Sequence, residues 1–291
     1  MGVGEVRDRL AAAPIDVLDL DDADRALVLD GAAALDEDGA RAVAAAATAL
    51  LEGIGSVDGA GDPFGGIPSR PRSAPGLLPV LALVATAGDV VAWLRGRGLD
   101  AATASSGVAD LGQQLRVHRR ATGIGGTDVA AWLATPWTGA LLRHGALQVE
   151  HVRHPRLGWV RSLHVPDGAA LDRAAVDASL AESVASGAVA FPERATGLVH
   201  CASWMLDPWL VDELPGTRLA AFAARFDPVP PEHGGVGDDE GADDVLWFVW
   251  GRRPPWPALD ALPRDTRLRR AVAARLDAGG RPVVREGVLV R

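Results

Sequence analysis

Apolar residues in the first half of the chain recur with a helical period. Residues 36–53, DEDGARAVAAAATALLEG, are dense in Ala and Leu, which are strong helix formers. Residues 77–94, LLPVLALVATAGDVVAWL, form the longest apolar stretch. Gly88 and Asp89 interrupt it before it reaches the ~20 apolar residues of a bilayer span, so it predicts a buried helix and no membrane span. The glycines of GDVVAWLRGRG supply its C-terminal stop. Within residues 100–123, Val108, Leu111, Leu115 and His118 fall at helical spacing. A further helix is expected from a Thr127 cap to Gly145. Between the first two helices, the Gly/Pro-rich residues 53–76 predict a long loop.

After Gly145 the period changes. ALQVEHVRH and GWVRSLHVP predict two strands, with His154, Pro155, Arg156 and Leu157 turning between them. LDRAAVDASLAESVASG predicts a helix, GLVHCASW a strand, and DPWLVDELPG and TRLAAFAARF two shorter helices. Residues 228–244 are acidic and glycine-rich and predict a loop. VLWFVWG, residues 245–251, is continuously apolar and predicts a strand buried on both faces. DTRLRRAVAARLDAGG predicts a helix and PVVREGVLVR a last strand. The second half thus reads β-β-α-β-α-α-β-α-β. The expected fold is α/β (α+β), with an all-helical domain over residues 1–143 followed by a mixed-sheet domain over residues 144–291.

Composition narrows the function classes. The 291 residues are 48 % hydrophobic, enough for a substantial core, and carry a net charge of −9. That charge argues against a nucleic-acid partner, which requires a basic face. The single cysteine excludes an internal disulfide and a cysteine-built zinc site. The charged N-terminus has no apolar signal-peptide core, so a cytoplasmic protein is expected. Lys and Tyr are absent, which excludes a lysine Schiff base and a tyrosine general acid. No His pair stands at i, i+4 with a carboxylate, so no metal is expected.

The candidate chemistry gathers around LVHCASWMLDP, residues 198–208. Side chains alternate along a strand, so Cys201 and Ser203 share one face and His200 points to the other. His200 therefore cannot serve as the base of Cys201. Cys201 is either a small buried hydrophobe or a nucleophile whose base comes from another strand, with His164 as the candidate. Asp207 followed by Pro208 reads as the N-cap and first position of a helix. A second candidate is HVPDGAALDRAAV, where Asp167, Gly168, Ala169 and Ala170 join a strand to a helix. Free amides at such a junction can bind phosphate, although an ordinary capped helix start fits the same residues. Arg120–Gly125 has the spacing of a phosphate loop but follows a helix, and its glycines read as a C-cap. Most of the nine tryptophans, among them Trp204, Trp209, Trp247 and Trp250, are expected in the core.

Several of these patches resemble the bacterial family of acyltransferase domain-containing proteins, which pair a helical N-acyltransferase N-terminal domain with a GNAT-like C-terminal domain. The resemblance rests on residues 93–126, on LLRHGALQVE, on LHVP followed by Gly168 and Leu171, and most specifically on CASWMLDPWLVDELP. Thr217 and Arg218 stand where the family carries a Ser-Asn pair, and the family's paired phenylalanines are missing from residues 178–189. The resemblance implies an acyl-CoA-dependent N-acyltransferase, with acyl-CoA or acetyl-CoA as co-substrate and a small-molecule amine as acceptor. His164 would then be the base, Ser203 or Cys201 the acid meeting the thiolate, and Asp167–Ala170 the pyrophosphate loop. Two alternatives remain open: an acyl-enzyme route through Cys201, and a non-catalytic GNAT-like protein that binds a ligand or partner.

Overall fold

The computed structural model describes residues 1–57, 61–67, 73–230, 240–253 and 255–289. Among these, seven α-helices precede the first strand: α1 (Val3–Ala11), α2 (Asp22–Ala33), α3 (Glu37–Glu52), α4 (Leu77–Gly96), α5 (Ala101–Ser105), α6 (Asp110–Thr122) and α7 (Ala130–Trp137). There follow β1 (Leu141–His144), β2 (Leu147–His154), β3 (Gly158–His164), α8 (Arg173–Ala190), β4 (Val199–Ser203), α9 (Pro208–Glu213), α10 (Arg218–Ala223), β5 (Phe226–Pro228), α11 (Glu240–Trp250), α12 (Arg267–Asp277) and β6 (Arg285–Leu289). Six strands form one sheet in the order β1-β2-β3-β4-β6-β5.

Two compact units divide the chain, and each draws on more than one segment. The first comprises Met1–His144, Glu150–Arg153 and Glu182–Ala195; the second comprises Gly145–Val149, His154–Ala181 and Thr196–Arg291.

In the helical unit, α4 is the central element. Val80 to Val84, Ala87 and Val90 are inaccessible to solvent, so α4 is a core helix although its length and composition would also suit a membrane. Each fully buried Leu or Val side chain contributes about 1.5–3 kcal/mol. The Trp137 indole N–H is satisfied inside this core by Leu83 O at 3.0 Å and Thr86 Oγ1 at 3.1 Å. Asp36 caps α3 by accepting from the Gly39 amide at 2.7 Å.

In the second unit, one sheet face packs on a core that includes Leu163, Val199, Cys201, Leu206, Leu210 and Phe222. β3 and β4 run parallel, with Arg161 opposite Val199 and Ser162 opposite His200. β6 returns antiparallel to β4, with Ala202 opposite Glu286 and Ser203 opposite Arg285.

The structure corrects four sequence expectations. Residues 245–251 are not a strand: 245–250 are the end of α11, and Gly251 follows it. Val245, Leu246, Val249 and Trp250 pack into the core while Phe248 is 54 % exposed, a one-sided pattern that suits a helix. A short apolar run has no period of its own to separate the two states. The helix expected up to Gly145 ends at Trp137, because Gly139 adopts φ +76°, outside the helical region. Leu141–His144 then forms β1, hairpinned to β2 through Gly145 at φ +52°. Thr127 does not cap α7, whose N-cap is Val129; the Thr127 hydroxyl accepts from the Val129 amide instead. Residues 101–122 form two helices, because the Gly107 backbone lies against Leu141, where a Cβ would stand 2.3 Å from the carbonyl oxygen. Of the expected acidic loop, residues 231–239 lie outside the described residues. In the loop expected over residues 53–76, so do 58–60 and 68–72.

Candidate functional site

The two faces of β4 part the candidate residues. Val199 and Cys201 point into the core, and Cys201 is 1 % exposed. Burial pushes its thiol up to about 12. A thiol so placed stays protonated and unreactive at neutral pH. Ser203, at the strand end, accepts a hydrogen bond from the Met205 amide at 3.1 Å, opening a 3₁₀ turn at Trp204–Leu206. Asp207 caps α9, accepting from the Trp209 amide at 3.1 Å, and its other oxygen accepts from the Val283 amide at 3.2 Å. It is a structural residue, as its place before Pro208 suggests.

His200 occupies the opposite face, and four neighbours surround it in the same unit. Ser162 Oγ lies 3.4 Å from His200 Nδ1. The ring of His154, at the end of β2, has its centroid 4.9 Å from that of His200. His164 lies two residues beyond Ser162 and so shares its face. Glu286 is opposite Ala202, two residues along from His200. His200 itself is 5 % exposed, and its Nε2 is buried with no hydrogen-bond partner. Desolvation, aided by His154, His164 and Arg156, pushes its pKa down to about 4. His200 is therefore neutral at pH 7, and one polar atom of its ring is left without a partner.

The turn after β2 fixes the rest of the cluster. The backbone N–H groups of Arg156 and Leu157 donate to His154 Nδ1 at 3.3 and 3.2 Å. An Nδ1 that accepts cannot carry a proton, so the proton of neutral His154 resides on Nε2. That atom faces Glu286 Oε2 at 3.7 Å. Glu286 Oε2 also accepts from Arg156 Nη2 at 2.7 Å.

Among the described residues, His154, His200 and Glu286 each bring a ligand-type atom within 4.8 Å of the others. Two imidazoles and a carboxylate would suit a divalent metal by composition. The hydrogen bonding opposes it, because His154 Nε2 carries a proton where a metal needs a lone pair, and Glu286 is held by a guanidinium.

The strand-to-helix loop follows His164 directly. Gly168 adopts φ +74° with open space where a side chain would stand, and Asp167 and Ala170 are exposed. The Ala169 amide donates back to Pro166 O at 3.1 Å, and the Ala175 amide to Asp172 Oδ1 at 3.0 Å. Asp172 thereby caps α8.

The structure thus brings His164 to the face of His200 and sets Cys201 and Ser203 on the other. Sequence reasoning used His200 only to exclude it as a partner of Cys201, and it did not single out Ser162 or Glu286. Each of these lies on a different strand, so only the register between strands reveals them. The one local signal was a set of polar residues near strand ends.

Comparison with known proteins follows this geometry. Residues 128–289 match the family model of the GNAT-like C-terminal domain, and residues 11–139 match that of the N-acyltransferase N-terminal domain. A search of curated protein sequences gives no match. Among solved structures, an acyltransferase in complex with CoA and 10C-teicoplanin superposes with a TM-score of 0.82 at 25 % identity, over 94 % of this chain and 85 % of that one. A tryptophan-to-alanine variant of an acyltransferase, in complex with octanoyl-CoA, gives 0.82 at 26 % identity over the same shares. An acyltransferase in complex with decanoyl-CoA gives 0.81 at 22 % identity, over 99 % of both chains.

Proposed function

Since the chain belongs to the family of proteins with a GNAT-like C-terminal domain, we propose that it is an acyl-CoA-dependent N-acyltransferase with a small-molecule amine as acceptor. The similar structures hold CoA, octanoyl-CoA and decanoyl-CoA, which makes medium-chain acyl-CoAs the donors to test first. The observation that carries the reaction's chemistry is the buried, partnerless Nε2 of His200. A buried polar atom without a partner costs about 1–3 kcal/mol, and a substrate amine would relieve that cost.

In this reading the amine nitrogen attacks the thioester carbonyl, a C–N bond forms and the C–S bond breaks. Neutral His200 accepts the proton released from nitrogen, with Ser162 orienting its ring. His164, half-buried at the end of β3, passes that proton outward, and CoA departs as the thiolate; Ser203, on the other face of β4 with its hydroxyl accepting from the Met205 amide, stands away from that path. Asp167, Gly168, Ala169 and Ala170 lie against the pyrophosphate of CoA. Cys201 takes no covalent part, because its thiol is buried on the core face and His164 is on the other. Such a reaction belongs in the cytoplasm, where CoA thioesters are available.

The test is acyl transfer from octanoyl-CoA to a panel of primary amines, read by mass spectrometry and by release of free CoA thiol. His200→Gln should lower kcat by about 100-fold or more, the span of general-base catalysis, and His164→Ala by less. The reverse order would make His164 the base.

A further inference from the structure

The Arg156–Glu286 pair stands beside the base without touching the reacting atoms. We infer that Arg156 is a positioning residue whose guanidinium occupies the Glu286 carboxylate and so keeps that charge from stabilising a proton on His200. This rests on the reading of His200 as the proton acceptor.

The geometry separates three groups that would otherwise compete. Glu286 lies within 4.8 Å of His200 and of His154. An unpaired carboxylate at that distance would draw a proton onto an imidazole. His154 cannot readily take it, since its Nδ1 is already an acceptor for two backbone N–H groups. His200 has a buried ring nitrogen without a partner and would be the natural recipient. The 2.7 Å contact from Arg156 Nη2 to Glu286 Oε2 supplies the neutralising charge instead. The pair is well shielded, with side chains 20 % and 12 % exposed. Screening by solvent is therefore weaker than for a surface pair. The groups that face His200 are His154 from β2, Arg156 from the following turn, Ser162 and His164 from β3, and Glu286 from β6. Three of these, His154, His164 and Arg156, disfavour a second positive charge on its ring, and Ser162 is neutral. Glu286 is the one anion in this set, and Arg156 holds it.

The arrangement predicts an asymmetry between the two partners. Arg156→Gln frees the carboxylate and should raise the His200 titration by about 1 unit or more. Glu286→Gln removes the anion and leaves the Arg156 charge unneutralised, so the His200 titration should not rise and should stay at or below that of the parent protein. The double variant Arg156→Gln/Glu286→Gln should return to the parent titration, because the freed charge is gone. Arg156→Lys should also retain it.

The measurement is a pH titration of the His200 imidazole by NMR in the full-length protein, assigned by the signal lost in His200→Gln. The acid limb of kcat/KM for octanoyl transfer supplies the second readout. We expect both to move upward in Arg156→Gln alone. An unmoved His200 titration in folded Arg156→Gln overturns the inference, as does a double variant that keeps the full shift. The NMR titration needs no turnover, so failure of the transfer assay would count against the proposed function and leave this test intact. If Arg156→Gln does not fold, the inference stands or falls on Arg156→Lys and Glu286→Gln. A His200 titration raised in either variant overturns it.

Discussion

Ser162 lies opposite His200 across the parallel β3–β4 pair, with its hydroxyl 3.4 Å from His200 Nδ1. The contact is long for a strong hydrogen bond, so it orients the ring more than it binds it. Ser162→Ala should cost about 1 kcal/mol of stability and lower kcat several-fold with little change in KM. Urea unfolding and steady-state kinetics on the same variant measure both. A loss confined to KM would place Ser162 in substrate binding instead.

His200 also ties stability to pH. In the unfolded chain its pKa returns to 6.5, whereas in the folded protein it is held down at about 4. Between these values the unfolded state binds more protons. The stability that neutral His200 contributes is therefore complete above pH 6.5, declines as pH falls, and is gone below about 4. The full span is about 3 kcal/mol. The difference in unfolding free energy between the parent and His200→Gln, measured at pH 7.5 and at pH 5, should shrink at the lower pH. A difference that does not change with pH would mean that His200 titrates normally in the fold.

Cys201 should resist alkylation in the native protein and react fully once unfolded, because a buried thiol is neither accessible nor ionised. Cys201→Ala should keep most of the transfer activity. Rapid, stoichiometric alkylation of folded protein, with acyl-CoA protecting, would restore the acyl-enzyme route.

Most helices, and the strands containing His164 and Cys201, were legible from period and capping. Asp207 before Pro208 marked α9, and Asp36 sits where α3 begins. The errors lie where local signals are degenerate. VLWFVW is apolar throughout and cannot announce a helix, and LLRH follows a helix-rich run with only Gly139 to mark the break. The opposed faces of Cys201 and His200 followed from strand alternation alone. The association of His154, Ser162, His200 and Glu286 did not, because it depends on the register of four strands, of which only β2 and β3 are joined by a short turn and the others are separated by helices.

Gly168 tests the place of the cofactor. It holds φ +74° with open space beside it, so Gly168→Ala pays only a backbone penalty of about 1 kcal/mol. Gly168→Glu adds the same penalty and a negative charge where the pyrophosphate is proposed to lie. Isothermal titration should show CoA affinity modestly reduced in the first variant and abolished in the second. Unchanged affinity in folded Gly168→Glu would move the cofactor site away from Asp167–Ala170.

A fragment of residues 144–291 should not fold cleanly. It contains Ala190 and Phe191, both of which are buried in the core of the helical unit, and would expose them. Size-exclusion chromatography should show aggregation, and heating should give no cooperative transition. A monomeric fragment with a sharp transition would show that the second half is independent.

The most direct test of the account is octanoyl transfer by the parent protein and His200→Gln under identical conditions, with Tm and CoA affinity measured on both. The account predicts that the variant binds CoA as the parent does and stays folded, yet forms amide product about 100-fold or more slowly. A folded variant that binds CoA and transfers the acyl group at the parent rate would contradict it.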